Sequence, residues 1–398
     1  MNRFAVIVLD SFGVGYMDDV YQVRKQDIGA NTFKSILDKE ATLFLPNLQK
    51  LGIMNALGME TKLMKFNPNA TYGVSNLMHF GADTFSGHQE IMGTKPKKPI
   101  EEPFSYCIDA VYEALVQAGH KVTFRGGKLK FLVVDQCVTV ADNLEADFGQ
   151  VYNITATLDC ISYDEVINIG KVVRSVVQVA RVIAFGGKNV PFENILSAVE
   201  EKEGKYIGIN APKSGVYNDG YQVIHLGYGV DSKVQLPTIL GNVGVPVILI
   251  GKVADIVAND GGKSILAVDT EEVMKITLEE FKRMERGFLC TNVQETDLAG
   301  HSQDPLKYSE KLIIADYYIG KLLSEMTGND FIVIMADHGN DPCIGHSHHT
   351  REKVPLLIYS PDVDFKPGFI GVRTSLSDVG ATAAKYFNVT GLANGIAW

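Results

Sequence analysis

Short apolar runs rich in β-branched residues recur towards both ends of the chain. Polar residues do not alternate with the apolar ones inside them. This pattern is typical of strands that are buried on both faces, in a parallel sheet covered by helices on each side. The runs are Phe4–Leu9, Val245–Ile250, Phe288–Val293, Phe331–Met335 and Pro355–Tyr359.

Helical patterns separate several of these runs. Apolar residues at intervals of three or four predict an amphipathic helix near 308–326. A second helix is predicted near 270–285, where Thr270 and two glutamates provide a start, and a third opens at Thr374–Ser375 and runs towards Phe387. The alternation of strands and helices predicts one α/β domain built from two segments of the chain, 1–96 and 223–398.

The middle of the chain, 97–222, has a different pattern of apolar and polar residues, which predicts a smaller α+β domain inserted into the first. Its boundaries are the Pro/Lys-rich Lys95–Pro99 and a Gly/Asn-rich stretch at 215–220. A hairpin and two helices are predicted in it, at His120–Val134 with the turn at Gly126–Gly127, near 163–181 and near 191–203.

Composition excludes several classes of protein. With 398 residues, 46% hydrophobic and 21% charged, the chain is neither disordered nor fibrous. Its net charge of −10 argues against non-specific nucleic-acid binding, although bound cations would still allow an anionic substrate. The apolar run before Asp10 has only six residues, which is too short for a signal-peptide core, and no later stretch reaches about 18 uninterrupted apolar residues. Neither a signal peptide nor a membrane span is therefore expected.

The cysteines are scattered and never arranged as C-x-x-C, which favours free thiols in a reducing cytosol and hence a cytoplasmic protein. They are Cys107, Cys137, Cys160, Cys290 and Cys343. The oligomeric state is left open.

Potential metal ligands cluster directly after the run Phe331–Met335. Asp337 and His338 come first, and three further histidines follow at His346, His348 and His349. Open α/β sheets place their sites at the carboxyl ends of strands, and aspartate with neutral imidazole suits Zn²⁺ or Mn²⁺. The alternative is a polar, histidine-rich surface loop.

Two other runs end in the same way. Asp10 follows Phe4–Leu9, while Asp297 and His301 follow Phe288–Val293. A separation of four residues lets two ligands converge on one ion if a helical turn joins them. A single aspartate after a strand is more often a helix cap, but three such strand ends predict a two-metal site.

The segment Gly81–His88 offers a nucleophile. Thr84 and Ser86 stand just before a possible helix at Gln89–Met92. A hydroxyl at a helix N-terminus beside a metal ion suits phosphoryl transfer, because the metal lowers its pKa and backbone N–H groups hold phosphate oxygens. The alternative is a capped helix start with Asp83 or Thr84 as the N-cap. His88 is interpreted as structural.

The motifs DSFGVG from Asp10, GADTFSGHQEIMG, ADHGNDP, HHTREKVPLL, LIGKVADI and LSDVGATAAKYF together resemble phosphopentomutases. These are metalloenzymes of the alkaline phosphatase superfamily. The resemblance covers both core segments and is weakest in the insertion. It implies an alkaline-phosphatase-like α/β core, with a mainly parallel sheet flanked by helices, and a cap domain inserted in it.

Carried over by position, the resemblance implies one metal ion bound by Asp10, Thr84, Asp337 and His338. A second ion would be bound by Asp297, His301 and His349. Thr84 takes the place of the residue that becomes phosphorylated, and Ser86 does not. Lys252 and Arg351 are implied to bind substrate, and the alternative for Lys252 is a solvated loop charge.

The implied activity interconverts ribose or deoxyribose 1-phosphate and 5-phosphate in nucleoside salvage. Two divalent ions, Mn²⁺ before Zn²⁺ or Mg²⁺, and an activating sugar bisphosphate would be its cofactors. The partner would be a small phosphorylated sugar, with no nucleic acid and no membrane, and the insertion would act as a lid that excludes water.

Three departures from the family pattern widen the choice of function. The spacing of Asp297 and His301 is one residue shorter than usual, Gln89 replaces a common tryptophan, and Gln222–Tyr228 lacks the arginines that grip phosphate and pentose. The alternatives are therefore a metal-dependent phosphatase or phosphodiesterase, a mutase acting on another phosphorylated substrate, and a non-catalytic scaffold.

Overall fold

The computed structural model describes residues 2–145 and 148–398. They form two compact units, Met1–Pro96 with Asp231–Trp398, and Lys97–Val230. None of the described helices is both long and apolar enough to cross a membrane. The strands are β1 Asn2–Leu9, β2 Thr71–Ser75, β3 Val122–Gly126, β4 Lys130–Val134, β5 Val138–Asp142, β6 Val151–Thr157, β7 Arg181–Gly187, β8 Val199–Lys202, β9 Tyr206–Ile209, β10 Gln222–Gly227, β11 Val247–Gly251, β12 Lys263–Ile265, β13 Arg286–Val293, β14 Phe331–Met335, β15 Val354–Tyr359 and β16 Gly368–Arg373.

The helices vary from single turns to a helix of 21 residues. They are α1 Val20–Val23, α2 Thr32–Lys39, α3 Pro46–Leu51, α4 Ile53–Leu57, α5 Thr84–Ile91, α6 Ile108–Gln117, α7 Tyr163–Val176, α8 Phe192–Ser197, α9 Ala211–Ser214, α10 Leu236–Asn242, α11 Lys252–Ile256, α12 Thr270–Arg283, α13 Glu295–His301, α14 Pro305–Glu325 and α15 Ser377–Tyr386.

The first unit is built on one mixed sheet with the strand order β12-β11-β13-β1-β14-β15-β2-β16. From β12 to β14 neighbouring strands are parallel, whereas β15 runs antiparallel to both β14 and β2. The mixed α/β class and the mainly parallel core predicted from the apolar runs are confirmed. The parallel strands all end at the same edge of the sheet, which places the residues that follow them together.

Burial explains why the central strands carry no polar alternation. From Arg3 to Leu9 every side chain of β1 is buried, because helices cover the sheet. The helices pack in two groups, one around α14 with α2, α3, α12 and α13, and another joining α5 to α11 and α15. The predicted start near Thr270 is confirmed, and the side chain of Asp269 caps α12 there by accepting from the Glu272 N–H group (2.9 Å).

The second unit contains a mainly antiparallel sheet in the order β10-β7-β6-β5-β4-β3, with β8 and β9 attached through β5. The hairpin predicted at His120–Val134 is present as β3 and β4. The helix predicted over 191–203 ends at Ser197, since Val199–Lys202 pairs with β9 as a strand.

The predicted return to the core at 223 is corrected by the structure. Residues Gln222–Gly227 form β10 and pair antiparallel with β7, so this strand belongs to the second unit. The second unit therefore extends to Val230. Sequence could not show this, because an apolar strand carries no mark of which sheet it joins.

The expectation that all cysteines are free thiols is also wrong for one pair. Cys137 and Cys160 form a disulfide, whereas Cys107, Cys290 and Cys343 are free. Their separation of 23 residues in sequence gave no sign that the two side chains would meet.

A buried ion pair holds the beginning of β1. Arg3 donates from Nε to Asp330 Oδ1 (3.1 Å), and its Nη2 pairs with Asp330 Oδ2. Its remaining N–H groups donate to the backbone oxygens of Phe281 and Glu325. Removing the guanidinium would leave a buried carboxylate without its cation.

We expect Arg3→Met to lower the free energy of unfolding by about 3–5 kcal/mol, measured by urea denaturation. Lys34→Met, which breaks the exposed Lys34–Asp38 pair, is the control and should change stability little. An Arg3→Met protein as stable as the control would contradict the importance of the buried pair.

Candidate metal centre and phosphoryl-transfer site

Four strands of the first unit end beside one another, and each leads into residues suited to bind metal or phosphate. Asp10 follows β1, Asp337 and His338 follow β14, and α13 after β13 carries Asp297 and His301. Lys252 follows β11 as the first residue of α11. The convergence predicted from the strand ends is therefore present in the described structure.

The first group of candidate ligands consists of Asp10, Asp337, His338 and Thr84. His338 Nε2 lies 3.5 Å from both Asp10 Oδ1 and Asp337 Oδ2, and 2.8 Å from Thr84 Oγ1. Both carboxylates and the imidazole are buried. The four side chains come from three separate parts of the chain, so the fold alone brings them together.

The first group fits a cation because two of its buried oxygens have no other partner. Asp10 Oδ1 and Asp337 Oδ2 accept no hydrogen bond. Burial and the neighbouring charge of Asp337 raise the pKa of Asp10 well above its usual range. A divalent ion would offset this repulsion and satisfy both oxygens.

His338 is prepared to act as a neutral ligand. Burial lowers its pKa to about 4, and its Nδ1 donates to the backbone oxygen of Gly339 (3.0 Å). The lone pair is therefore on Nε2, which faces the carboxylates and Thr84. Neutral imidazole is the form that binds metal ions.

The second group contains Asp297, His301 and His349. His301 Nε2 lies 3.2 Å from Asp297 Oδ2, His349 Nε2 lies 3.3 Å from Asp297 Oδ1, and the two Nε2 atoms are 3.0 Å apart. The other ring nitrogens are held by backbone oxygens, His301 Nδ1 by Ser347 (2.6 Å) and His349 Nδ1 by Ala82 (3.1 Å). All three side chains thus point ligand atoms at one space.

His338 lies between the two groups. Besides its contacts in the first group, His338 has a ring nitrogen within 4.8 Å of ligand atoms of Asp297 and His349. Its ring also stacks on that of His349, with the centroids 4.0 Å apart. The sequence placed His338 with the first group alone. The two groups are therefore adjacent, as a two-metal site requires.

Helix α5 presents Thr84 to the first group. Asp83 is its N-cap and accepts from both the N–H and the hydroxyl of Ser86 (2.9 Å each). The helix start is therefore capped by Asp83, and this leaves Thr84 available as a candidate nucleophile. Gly87 allows the close approach, because a Cβ there would lie 2.9 Å from Asp337 Cβ. The hydroxyl of Ser86 is engaged by the cap.

The two residues expected to bind substrate have different surroundings. Lys252 is partly exposed and pairs within its own helix with Asp255 (Nζ to Oδ2, 3.1 Å). Arg351, in contrast, makes its contacts within the protein, and its substrate role stays a prediction. Its buried guanidinium bonds Asp19 and the backbone oxygens of Leu77, His79 and Gly81, so it anchors the loop before Thr84.

Sequence reasoning missed two asparagines that bond the proposed ligands. Asn292 Nδ2 donates to Asp10 Oδ2 (2.9 Å), and Asn340 Nδ2 donates to Asp297 Oδ1 (2.9 Å). A signal existed for Asn292, since it is a polar residue near the end of the otherwise apolar run Phe288–Val293. Gln89, noted as a departure, is buried and donates to the backbone oxygen of Ile256 (2.6 Å).

Comparison with known proteins identifies the class. Residues 2–390 match the Metalloenzyme superfamily, and the chain belongs to it. Phosphopentomutase from Caldanaerobacter subterraneus subsp. tengcongensis is 30% identical over 409 residues, covering 98% of this chain and 95% of that protein. Phosphopentomutase from Alkaliphilus oremlandii is 29% identical over 401 residues, covering 98% and 96%.

Within the superfamily, the chain thus belongs to the phosphopentomutase family. Membership identifies a metal-dependent enzyme of the phosphomutase class, an isomerase by reaction type. Among solved structures, phosphoglycerate mutase from Leishmania mexicana is 12% identical with a TM-score of 0.47, covering 99% of this chain and 96% of that one.

Metal affinity is expected to fall as pH is lowered from about 8 to 5. Although burial opposes it in His349, hydrogen bonding to Asp297 raises the pKa of both His301 and His349. Protons therefore compete with the metal at a higher pH than for an ordinary histidine. Calorimetric titration with Mn²⁺ at several pH values measures both the affinity and the protons released.

His348→Asn is the matched control, because His348 is in the same loop and outside both groups. It should leave the pH profile unchanged, whereas His349→Asn should weaken binding and release about one proton fewer. Constant metal affinity across this pH range would count against histidine ligation.

Proposed function

We propose that this protein interconverts the 1-phosphate and 5-phosphate of ribose or deoxyribose through a phosphothreonine at Thr84. The observation that supports this most is the position of the Thr84 hydroxyl. It lies 2.8 Å from His338 Nε2, the imidazole that adjoins both ligand groups. Relatives named phosphopentomutases over nearly their whole length add the substrate class.

In this proposal Asp10, Thr84, Asp337 and His338 hold one divalent ion, and Asp297, His301 and His349 hold the other. The donor set of oxygens and imidazole nitrogens suits Mn²⁺, with Zn²⁺ or Mg²⁺ as alternatives. When bound, the ions neutralise phosphoryl oxygens and lower the pKa of the threonine hydroxyl.

The residues of the chain then act in a defined order. Thr84, carrying a phosphoryl group, gives it to the free hydroxyl of a pentose monophosphate. The bond between phosphorus and Thr84 Oγ1 breaks, a bond to the sugar oxygen forms, and the proton of the sugar hydroxyl is transferred to Thr84. The sugar bisphosphate then turns round so that its other phosphate faces Thr84. Thr84 Oγ1 takes this phosphoryl group, the bond to the sugar oxygen breaks, and the proton returns to that oxygen.

The first turn of α5 favours this exchange. Its N-terminal N–H groups and dipole stabilise negative charge next to Thr84, and Asp83 fixes the turn by capping it. Priming of Thr84 by a sugar bisphosphate, a place in nucleoside salvage and a cytoplasmic location belong to the same proposal.

Phosphorus NMR on protein loaded with Mn²⁺ tests the proposal. The substrates are ribose 5-phosphate and deoxyribose 5-phosphate with a trace of the corresponding bisphosphate. The 1-phosphate should appear without free phosphate. Free phosphate alone would instead indicate a phosphatase, and no turnover of either pentose would show that the substrate is another phosphorylated compound.

Thr84→Ala should abolish turnover, at least about 10³-fold, because no oxygen remains to carry the phosphoryl group. Metal should still bind through the other ligands, as measured by calorimetry. Ser86→Ala is the control, since the hydroxyl of Ser86 donates to the Asp83 cap, and turnover should stay within a few fold. Full activity in Thr84→Ala would exclude a phosphothreonine.

Lys252 is proposed to bind a phosphate of the substrate. Lys252→Met should raise KM about tenfold or more with a smaller change in kcat, because a charged contact present in both ground and transition states is lost. Lys263→Met, which breaks the Lys263–Glu280 pair on the nearby edge strand, should leave both constants unchanged. An unchanged KM in Lys252→Met would make this lysine a solvated loop charge.

A further inference from the structure

A chain of buried hydrogen bonds runs behind the first ligand group. It begins at Asp10, whose Oδ2 accepts from Asn292 Nδ2 (2.9 Å), and the same nitrogen lies 3.1 Å from His88 Nε2. On its other side, His88 Nδ1 lies 2.9 Å from the backbone oxygen of Thr84 and 3.2 Å from Asp337 Oδ2. Both linking side chains are fully buried.

The partners fix the hydrogen positions. Nδ1 of His88 faces only oxygen acceptors in these contacts, so it carries the hydrogen. Nε2 then presents its lone pair to Asn292. The amide of Asn292 must turn its nitrogen inward, because its oxygen would face the carboxylate of Asp10. The two hydrogens on Nδ2 thus serve Asp10 and His88. The single hydrogen on His88 Nδ1 goes to the backbone oxygen of Thr84, and Asp337 Oδ2 lies beside that nitrogen without accepting a hydrogen bond.

This arrangement determines which carboxylate oxygen is free. Asp10 is held through Oδ2, which leaves Oδ1 without a hydrogen bond and 3.5 Å from His338 Nε2. Asp337 accepts through Oδ1 from the N–H of Ser11 (3.1 Å), which leaves Oδ2 facing the same imidazole. The chain orients Asp10 through Asn292, and the N–H of Ser11 orients Asp337, so that two oxygens face one point before any ion arrives.

Position along α5 adds the nucleophile to this set. His88 is four residues after Thr84, one helical turn on the same face. His88 bonds the backbone oxygen of Thr84 and lies beside Asp337 Oδ2. Through Asn292 it also links this helical turn to Asp10. Three of the four proposed ligands of the first ion are thereby linked to one another by two side chains that bind no metal.

We infer that His88 and Asn292 are positioning residues that preset the first ligand group for its ion. The inference rests on the proposed function for the identity of that group as a metal site. Outer partners of this kind usually contribute 10- to 100-fold to metal affinity. Within the described part of the chain, the hydrogen bonds and ion pairs of His88 and Asn292 do not include the second group, which should therefore be spared.

Calorimetric titration of the metal-free protein with Mn²⁺ tests this. The wild-type protein should show two binding events. His88→Ala and Asn292→Leu should each weaken one event about 10- to 100-fold and leave the other within about twofold. His88→Asn, which keeps a donor near the Nδ1 position, should recover part of the loss.

The double variant gives a sharper result. Because either substitution breaks the same chain, His88→Ala with Asn292→Leu should weaken the event little more than one alone. His79→Asn is the matched control, since it removes another buried histidine that bonds α5, through Glu90 (2.8 Å), without joining the chain. It should leave both events unchanged even if it lowers the melting temperature.

Equal weakening of both events, additive losses in the double variant, or a loss as large in His79→Asn would overturn the inference. If His88→Ala does not fold, His88→Asn and Asn292→Leu carry the test. The titration needs no substrate. A wild-type protein that binds two ions without isomerising pentose phosphates would contradict the proposed function alone, whereas unaltered binding by the variants would contradict the inference alone.

Discussion

The repulsion between two buried carboxylates is the constraint around which the first unit is organised. Asp10 and Asp337 end neighbouring parallel strands and turn free oxygens towards the same imidazole. Burying like charges together is costly unless a cation or a donor network compensates. Strand β13 supplies Asn292, the donor to Asp10, and the loop after β1 supplies the N–H of Ser11, the donor to Asp337.

The loops around these strands are fixed by a buried carboxyl group. Glu352, whose pKa burial raises to about 7, accepts from the N–H and hydroxyl of Thr32 and from the hydroxyl of Thr350. Gly13 is required beside it, because a Cβ there would lie 2.2 Å from the carboxyl oxygen. The loop after β1 and the loop carrying His349 are thus held by one side chain.

Arg351 plays the corresponding part for the loop before α5. Its guanidinium donates hydrogen bonds to Asp19 and to backbone oxygens, among them those of His79 and Gly81. Thr84, the proposed nucleophile, therefore follows a loop that is anchored by hydrogen bonds, and the candidate ligand groups are held in the same way. Preorganised sites of this kind need little rearrangement when charge develops during phosphoryl transfer.

Sequence by itself determined the strand ends and the residue types at them. Apolar runs followed by Asp10, by Asp297 and His301, and by Asp337 and His338 predict convergence, because parallel strands end at one edge of a sheet. The family motifs then pointed to Thr84 and His349. The inference of convergence depends on local order along the chain and on the chemistry of single residues, which a sequence contains.

Only the tertiary structure decided how those residues share their surroundings. It placed His338 between the two ligand groups, engaged Arg351 with protein oxygens, joined Cys137 to Cys160, and assigned Gln222–Gly227 to the second sheet. Each outcome depends on contacts between segments far apart in sequence. Hydrogen-bond partners, burial and strand pairing are properties of such contacts, and no local pattern encodes them.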